Sequence, residues 1–277
     1  MPLTVDERMH YDRLVAEAVR RATSRFSTFF ADDGPLARSG YLKHLDFFAS
    51  GKKFKERLFM AANRVGKSEA GAYELTCHLT GIYPPWWEGR RFEKPVECWA
   101  VGTNSQTTRD IVQAKLLGSV QMPGTGMVPG HLIVSTISSR GLPGALEGGV
   151  IRHVSGGNSL LGLKTYEQGR QSFEGTSKDV IWCDEEPPAD CYTEMLYRTV
   201  TTKGIVMVTF TPLQGMSEVV KGFLEPESDI AADFKTFIQA GWKDVPHLDA
   251  EEQRALMATT PPYQIAARTE GEPSLGS

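Results

Sequence analysis

The chain has 277 residues, with 30 lysines and arginines against 34 aspartates and glutamates, a formal charge of −4. Its 40% apolar and 23% charged content is an ordinary globular balance, which excludes fibres, collagen-like repeats and wholesale disorder, and the length suits one large domain or one domain with a small appendage. A pI near 5.9 excludes a domain that is basic all over, so any contact with DNA or RNA has to be a local patch.

Cys77, Cys98, Cys183 and Cys191 fit neither a zinc ribbon nor a CxxC redox pattern, and reduced thiols are expected. No signal-peptide core follows Met1, and apolar runs such as 205–210 are too short to cross a bilayer. The sequence therefore reads as a soluble intracellular protein, with no membrane partner.

In chain order, Thr4 to Thr23 predicts an amphipathic helix with Val5, Met9, Val15, Val19 and Ala22 on one face. A turn at 32–35 precedes a second helix, Tyr41 to Ala49. A short strand, Arg57 to Ala61, leads into a helix from Lys67 to Thr80. Residues 84–89 predict a loop with exposed-looking tryptophans, Trp86 and Trp87, either capping the core or forming an interface patch. Val96 to Val101 predicts a strand, and Ser105 to Leu117 a helix capped by Asn104. The Gly- and Pro-rich stretch 121–149 holds one strand-like run, His131 to Ile137. Val150 to Val154 and Ser159 to Tyr166 form a hairpin pattern across 156–158. Strands at 180–183, 204–210 and 234–239 alternate with helices at 189–200 and 217–224. The stretch 248–268 predicts a helix, with Pro261-Pro262 opening a second one. Strands alternating with helices predict an α/β fold with a mostly parallel sheet.

The segment Ala61-Ala62-Asn63-Arg64-Val65-Gly66-Lys67-Ser68 matches GxxxxGK[ST], except that Ala61 replaces the first glycine. A strand precedes it and a helix follows, the context in which backbone amides and a helix N-terminus wrap phosphates. Lys67 would then reach the β- and γ-phosphates of ATP, and the Ser68 hydroxyl would bind Mg²⁺. Downstream, Val180 to Cys183 ends in Asp184-Glu185-Glu186. Asp184 is the candidate Mg²⁺ holder and Glu185 the candidate general base. A two-metal nuclease site is the other reading of this acidic trio. The strand 206–210 ends in Thr209-Phe210-Thr211-Pro212, where Thr211, then Thr209, are candidates to sense the γ-phosphate.

At these three segments the chain resembles the large terminase subunit of tailed bacteriophages, the ATPase motor that packages DNA. The family's deviant Walker A loop has an arginine two residues before Gly-Lys-Ser, here Arg64. Its Walker B strand ends in Asp-Glu, here Asp184-Glu185, and its coupling motif corresponds to 209–212. The stretch 169–175 is also similar. The resemblance implies a RecA-like P-loop NTPase of the additional-strand catalytic-glutamate type, with helices flanking the central sheet. It implies a helical N-terminal extension at 1–40, an ATPase core at 41–232 and a lid or linker subdomain at 233–277. The chain ends about where the family's nuclease domain begins, so no nuclease residues are assigned. Implied partners are double-stranded DNA, the portal protein, the small terminase subunit and further copies of the chain in a homo-oligomeric ring. The implied place is the host cytoplasm, transiently docked on the procapsid.

Arg64 is a candidate to act in cis on the γ-phosphate, and Arg140, Arg152 and Arg170 are arginine-finger candidates in trans. His44 is the nearest polar candidate for adenine. Two basic clusters, Lys52, Lys53, Lys55 and Arg57, and Arg90-Arg91, are either DNA contacts or a solvated face. Two other classes remain as alternatives: another P-loop nucleic-acid translocase of the helicase kind, and a non-hydrolysing adaptor with a degenerate P-loop.

Overall fold

The computed structural model describes residues 5–22 and 24–273. Its helices are α1 (Val5–Ala22), α2 (Arg25–Thr28), α3 (Leu42–Ser50), α4 (Lys67–Thr80), α5 (Ser105–Thr107), α6 (Ala114–Leu117), α7 (Ala189–Thr199), α8 (Glu218–Leu224), α9 (Asp229–Phe234), α10 (Ala250–Ala258) and α11 (Ile265–Glu270). Its strands are β1 (Glu56–Ala61), β2 (Glu97–Gly102), β3 (Gly118–Ser119), β4 (Met122–Pro123), β5 (Ile133–Ser138), β6 (Leu146–Arg152), β7 (Asn158–Thr165), β8 (Val180–Asp184), β9 (Ile205–Phe210) and β10 (Lys235–Ala240).

Eight strands form one sheet in the order β10-β1-β9-β8-β2-β7-β6-β5. From β10 to β7 every neighbouring pair is parallel, and β6 and β5 extend the sheet antiparallel. β9 is the additional strand, inserted between β1 and β8. β8 and β9 are buried along their whole length, as the unbroken apolar runs of a doubly covered parallel sheet must be. Alternation along β1 feeds two cores. Phe59 and Ala61 join a layer with α3 and α4, while Leu58 and Met60 join α7 and α8.

Helix α4 is buried from Ala70 to Thr80, so it has no solvent face. Gly71 lets it approach the sheet: a Cβ there would meet Trp182 Nε1 at 2.2 Å. Asn104 caps α5 through a capping box, and between α5 and α6 the winding widens to a π-helix at Thr108–Gln113.

Two expectations change and one open reading is decided. Of the two readings of Trp86 and Trp87, core-capping holds: Trp87 is buried and Trp86 stacks on Tyr73, with ring centroids 5.9 Å apart. The 84–89 loop folds back on α4, where Phe26, Phe30 and Phe48 complete an aromatic layer. Arg57 leaves the surface cluster altogether. It is fully buried, with Nη2 2.6 Å from Glu74 Oε1. The described part of α1 does not bury its apolar face: Met9 and Val15 are exposed. The ends of that expected helix, Thr4 and Thr23, lie outside the described residues. All four cysteines are buried and free. Among the described residues no helix is long and apolar enough to cross a membrane.

Candidate functional site

The carboxyl ends of β1, β9 and β8 lie side by side, the edge at which open α/β sheets bind ligands. The loop 62–66 leaves β1 here and passes into α4. Ala61 is the last residue of β1, paired with Ala240 and buried. It keeps a strand conformation, so the glycine missing from the motif is not required. The left-handed positions are Arg64 (φ 67°) and Gly66 (φ 86°). At Gly66 the absence of a Cβ makes that conformation free; at Arg64 it is strained and has to be held by its surroundings.

Four carbonyls of this loop are engaged by side chains from distant parts of the chain. The Thr211 hydroxyl is shared between Ala61 O (2.8 Å) and Asn63 Oδ1 (2.9 Å). Trp242 Nε1 donates to Asn63 O at 2.9 Å. His247 Nε2 lies 2.7 Å from Arg64 O, and His44 Nε2 lies 2.9 Å from Val65 O. Among the described residues the amides of Arg64, Val65 and Gly66 have no backbone acceptor. Carbonyls engaged and amides free, at the start of a helix, make an anion cradle.

Lys67 stands in this cradle. Among the described residues no carboxylate comes within ion-pair distance of it. Burial lowers its pKa, opposed by the charges of Glu185 and Asp184. Asp184 is buried, and burial pushes its pKa up to about 6; the facing Ser68 hydroxyl pulls it down, the Glu185 charge raises it, and Thr209 pulls it down. Thr209 Oγ1 donates to Asp184 Oδ1 (3.0 Å) and accepts from Trp182 Nε1 (2.9 Å). Ser68 and Asp184 thus offer two hard oxygens beside a phosphate loop, which fits Mg²⁺, an ion that takes few protein ligands and keeps the rest for phosphate and water.

Glu185 also has a left-handed backbone, φ 69°. Its amide donates to Thr209 O at 2.9 Å, and its carbonyl accepts from the Tyr166 hydroxyl at 2.9 Å. The residue is exposed. Desolvation raises its pKa, Lys67 opposes the rise and Glu186 adds to it. Glu186 diverges from its neighbours and accepts from Ser217, the residue that caps α8. Among the described residues no three His, Cys, Asp or Glu side chains are gathered so as to hold a metal.

Beside the loop opens a cavity of about 1100 Å³, lined among others by Phe29, Tyr41, His44, Lys67, His247 and Leu256. On its wall Tyr41 and His247 stack, with ring centroids 5.7 Å apart and planes 18° apart, and the Tyr41 hydroxyl lies 3.0 Å from His247 Nδ1. His44, considered for adenine, adjoins this cavity but is itself buried against Val65 O, and its pKa is lowered to about 4 by burial.

The fold thus brings 61–68, Asp184, Glu185, Thr209 and Thr211 together. It does not bring the three arginine-finger candidates into the same cluster. Arg170 lies beyond β7 on the P-loop side, paired with Glu174 (3.1 Å) and Glu194 (3.2 Å). Arg140 follows β5 at the far end of the sheet, six strand spacings or ~29 Å from β1. Arg152 pairs in register with Asn158 at the start of β7, on the opposite edge from the phosphate loop.

Residues 58–277 match the family model described as terminase large subunit, T4likevirus-type, N-terminal. The chain belongs to the terminase large subunit family. The terminase large subunit of Salmonella phage P22 is 34% identical over 257 residues, covering 86% of this chain and 51% of that protein. That of Enterobacteria phage LP7 is 33% identical over 90 residues, 32% of this chain and 18% of that protein. The chain therefore spans about half, or less, of the length of these curated relatives. The large terminase of the thermophilic bacteriophage D6E, solved in complex with ADP, shares the fold at a TM-score of 0.58 and 11% identity, over 85% of this chain and 52% of that one.

Within this terminase chain, sequence reasoning missed Tyr166, Trp242 and His247. Each meets a backbone carbonyl of the site with a hydrogen bond, across 19, 179 and 183 residues respectively. Only the position of Tyr166 at the end of a strand hinted at such a place. Of the two threonines, Thr209 reaches Asp184, while Thr211 reaches the loop itself.

Proposed function

We propose that this chain binds MgATP, hydrolyses it, and uses the cycle to move double-stranded DNA into a procapsid. The observation that supports it most is the loop with its carbonyls engaged and its amides free, set opposite Asp184-Glu185.

The loop amides and Lys67 hold the β- and γ-phosphates. Mg²⁺, held by Ser68 and Asp184, would supply charge neutralisation on the phosphoryl oxygens. Glu185 takes a proton from water as the water oxygen attacks the γ-phosphorus, and the bond from that phosphorus to the bridging oxygen of ADP breaks. A carboxylate with a raised pKa is a better base for that proton. Thr209, between Asp184 and Trp182, and Thr211, on Ala61 O, are placed to pass the change from one strand end to the next. Arg64 serves in cis on the γ-phosphate. In trans, Arg170 and Arg140 stand on the P-loop side, whereas Arg152 stands on the other. The nucleoside occupies the cavity beside Tyr41 and His247.

In this reading 41–232 is the ATPase core, 1–40 its helical extension, and 233–277 a lid and linker whose first strand, β10, is built into the central sheet. A homo-oligomeric ring of copies docks on the portal of a procapsid in the host cytoplasm, and the small terminase subunit delivers the DNA. The test is nucleotide binding and turnover. Lys67→Ala is expected to weaken MgATP affinity at least ~100-fold, as loss of a buried charge-assisted contact implies. Unchanged affinity would remove the phosphate assignment. Turnover that persists in excess chelator would remove Mg²⁺.

A further inference from the structure

The sequence offers two basic stretches that the nucleotide site does not use, one at 52–57 and one at 90–91. The fold treats their members differently. Arg57 is withdrawn into the core, and Lys52, Arg90 and Arg91 come to line a single open cavity of about 750 Å³. Glu88 also lines it. Lys52 projects from the turn after α3, and the two arginines from the loop after α4. This is the end of α4 remote from Lys67, on the opposite edge of the sheet. A 14-residue helix separates the two ends by ~21 Å.

Among the described residues none of these three cations has a carboxylate within ion-pair distance. Both arginines are nevertheless fixed. The Arg90 guanidinium lies 4.8 Å from the Phe92 ring centroid, and that of Arg91 lies 5.1 Å from the Tyr83 centroid. Arg91 Nη2 donates to Trp87 O at 3.2 Å, and Trp87 Nε1 donates to Arg90 O at 3.0 Å. The Tyr83 hydroxyl accepts from Phe92 N at 2.7 Å and meets His78 Nδ1 at 3.0 Å. His78 reaches Glu74, and Glu74 holds Arg57. The loop that presents the cations is therefore tied through a buried network to the helix that begins with the phosphate lysine. Preorganised guanidinium groups with free donors suit phosphate oxygens, to which they can bond with two parallel N–H groups. In a chain with net charge −4, such a patch is where a polyanion can approach.

We propose that Lys52, Arg90 and Arg91 form a docking site for the phosphodiester backbone of duplex DNA. This inference rests on the DNA-translocating function proposed above and names where that DNA touches the chain. The contact is to phosphates, so it is independent of base sequence, and it falls steeply with salt.

The test is fluorescence anisotropy with a mixed-sequence DNA duplex, titrated across salt concentrations, on the chain and on the triple variant Lys52→Ala/Arg90→Ala/Arg91→Ala. The variant is expected to bind at least ~10-fold more weakly at low salt, and its log–log salt slope is expected to be shallower by about 3, at about 0.9 per lost phosphate contact. Glu88→Gln, which keeps all three cations, is expected to bind the duplex more tightly; that result would support the site even if the triple variant folded poorly. Equal affinity and slope in all three proteins would overturn the proposal. So would binding of inorganic tripolyphosphate without binding of duplex. ATP turnover by the unsubstituted chain, measured alongside, tests the nucleotide reading separately. Its absence would count against that reading, whereas unaltered duplex binding by the variants would count against this site alone.

Discussion

The tip and the middle of helix α4 adjoin ionisable groups in opposite states. At its start, Lys67 stands near Asp184 and Glu185 without an ion pair, and all three have displaced pKa values: burial lowers Lys67 and raises both carboxyls. Further along, Arg57, Glu74 and His78 are fully buried and mutually paired. There burial would raise Glu74, but Arg57 and His78 hold its pKa below the ordinary value. Groups that satisfy one another are spent on structure. Groups held close without an ion pair remain available to a ligand; a displaced pKa does not by itself mark them, since Glu74 and His78 are displaced as well. The same helix thus carries a paired framework at its middle and charges without an ion pair at its tip.

The largest effect that could break this comparison is on stability. Glu74→Ala leaves Arg57 buried and uncompensated, and is expected to cost about 3–5 kcal/mol of unfolding free energy in urea titrations. Lys67→Ala removes a cation that has no ion-pair partner, and is expected to cost far less. Equal losses in the two variants would erase the distinction.

A second effect, about 3 kcal/mol, comes from His44. Its pKa falls from 6.5 to about 4 on folding, so the neutral form is favoured in the native state. The sign follows: this contribution is present above pH 6.5, and it is lost as pH falls from 6.5 towards 4, where the native ring is also protonated. Melting temperatures between pH 7.5 and 4.5 should fall more steeply for the chain than for His44→Gln. Parallel curves would mean that the ring is not held neutral against Val65 O.

The smallest effect sharpens the tip itself. Tyr166→Phe removes one hydroxyl bonded to the Glu185 carbonyl, and is expected to lower kcat about tenfold with KM unchanged, the value of one hydrogen bond. A rise in KM with kcat intact would place Tyr166 in binding rather than in positioning.

The placement of the loop 61–68 and of the acidic strand end was legible because each is a short contiguous pattern between an apolar strand and a helix or turn. β1, β8 and β9 could be read for the same reason: buried parallel strands are unbroken apolar runs. The props of the loop were not legible. Trp242 and His247 act across separations of 179 and 183 residues, and nothing in their local sequence marks them. Arg57 looked like a surface charge beside Lys52, Lys53 and Lys55, because its partner Glu74 lies on another element. Trp86 and Trp87 could be read as core or as interface, because the aromatic layer that their turn closes over is contributed in part by residues 26 and 30, far away in the chain. Local pattern reports periodicity and punctuation; it does not report which distant group will satisfy a buried one.

The claim that the unsatisfied charges at the tip of α4 perform the chemistry is tested most directly by single-turnover hydrolysis of MgATP by Glu185→Gln, with nucleotide affinity and melting temperature measured on the same protein. Binding and melting close to those of the unsubstituted chain, with hydrolysis slowed about 10³-fold, are expected of a lost general base. Hydrolysis at the unsubstituted rate would contradict it.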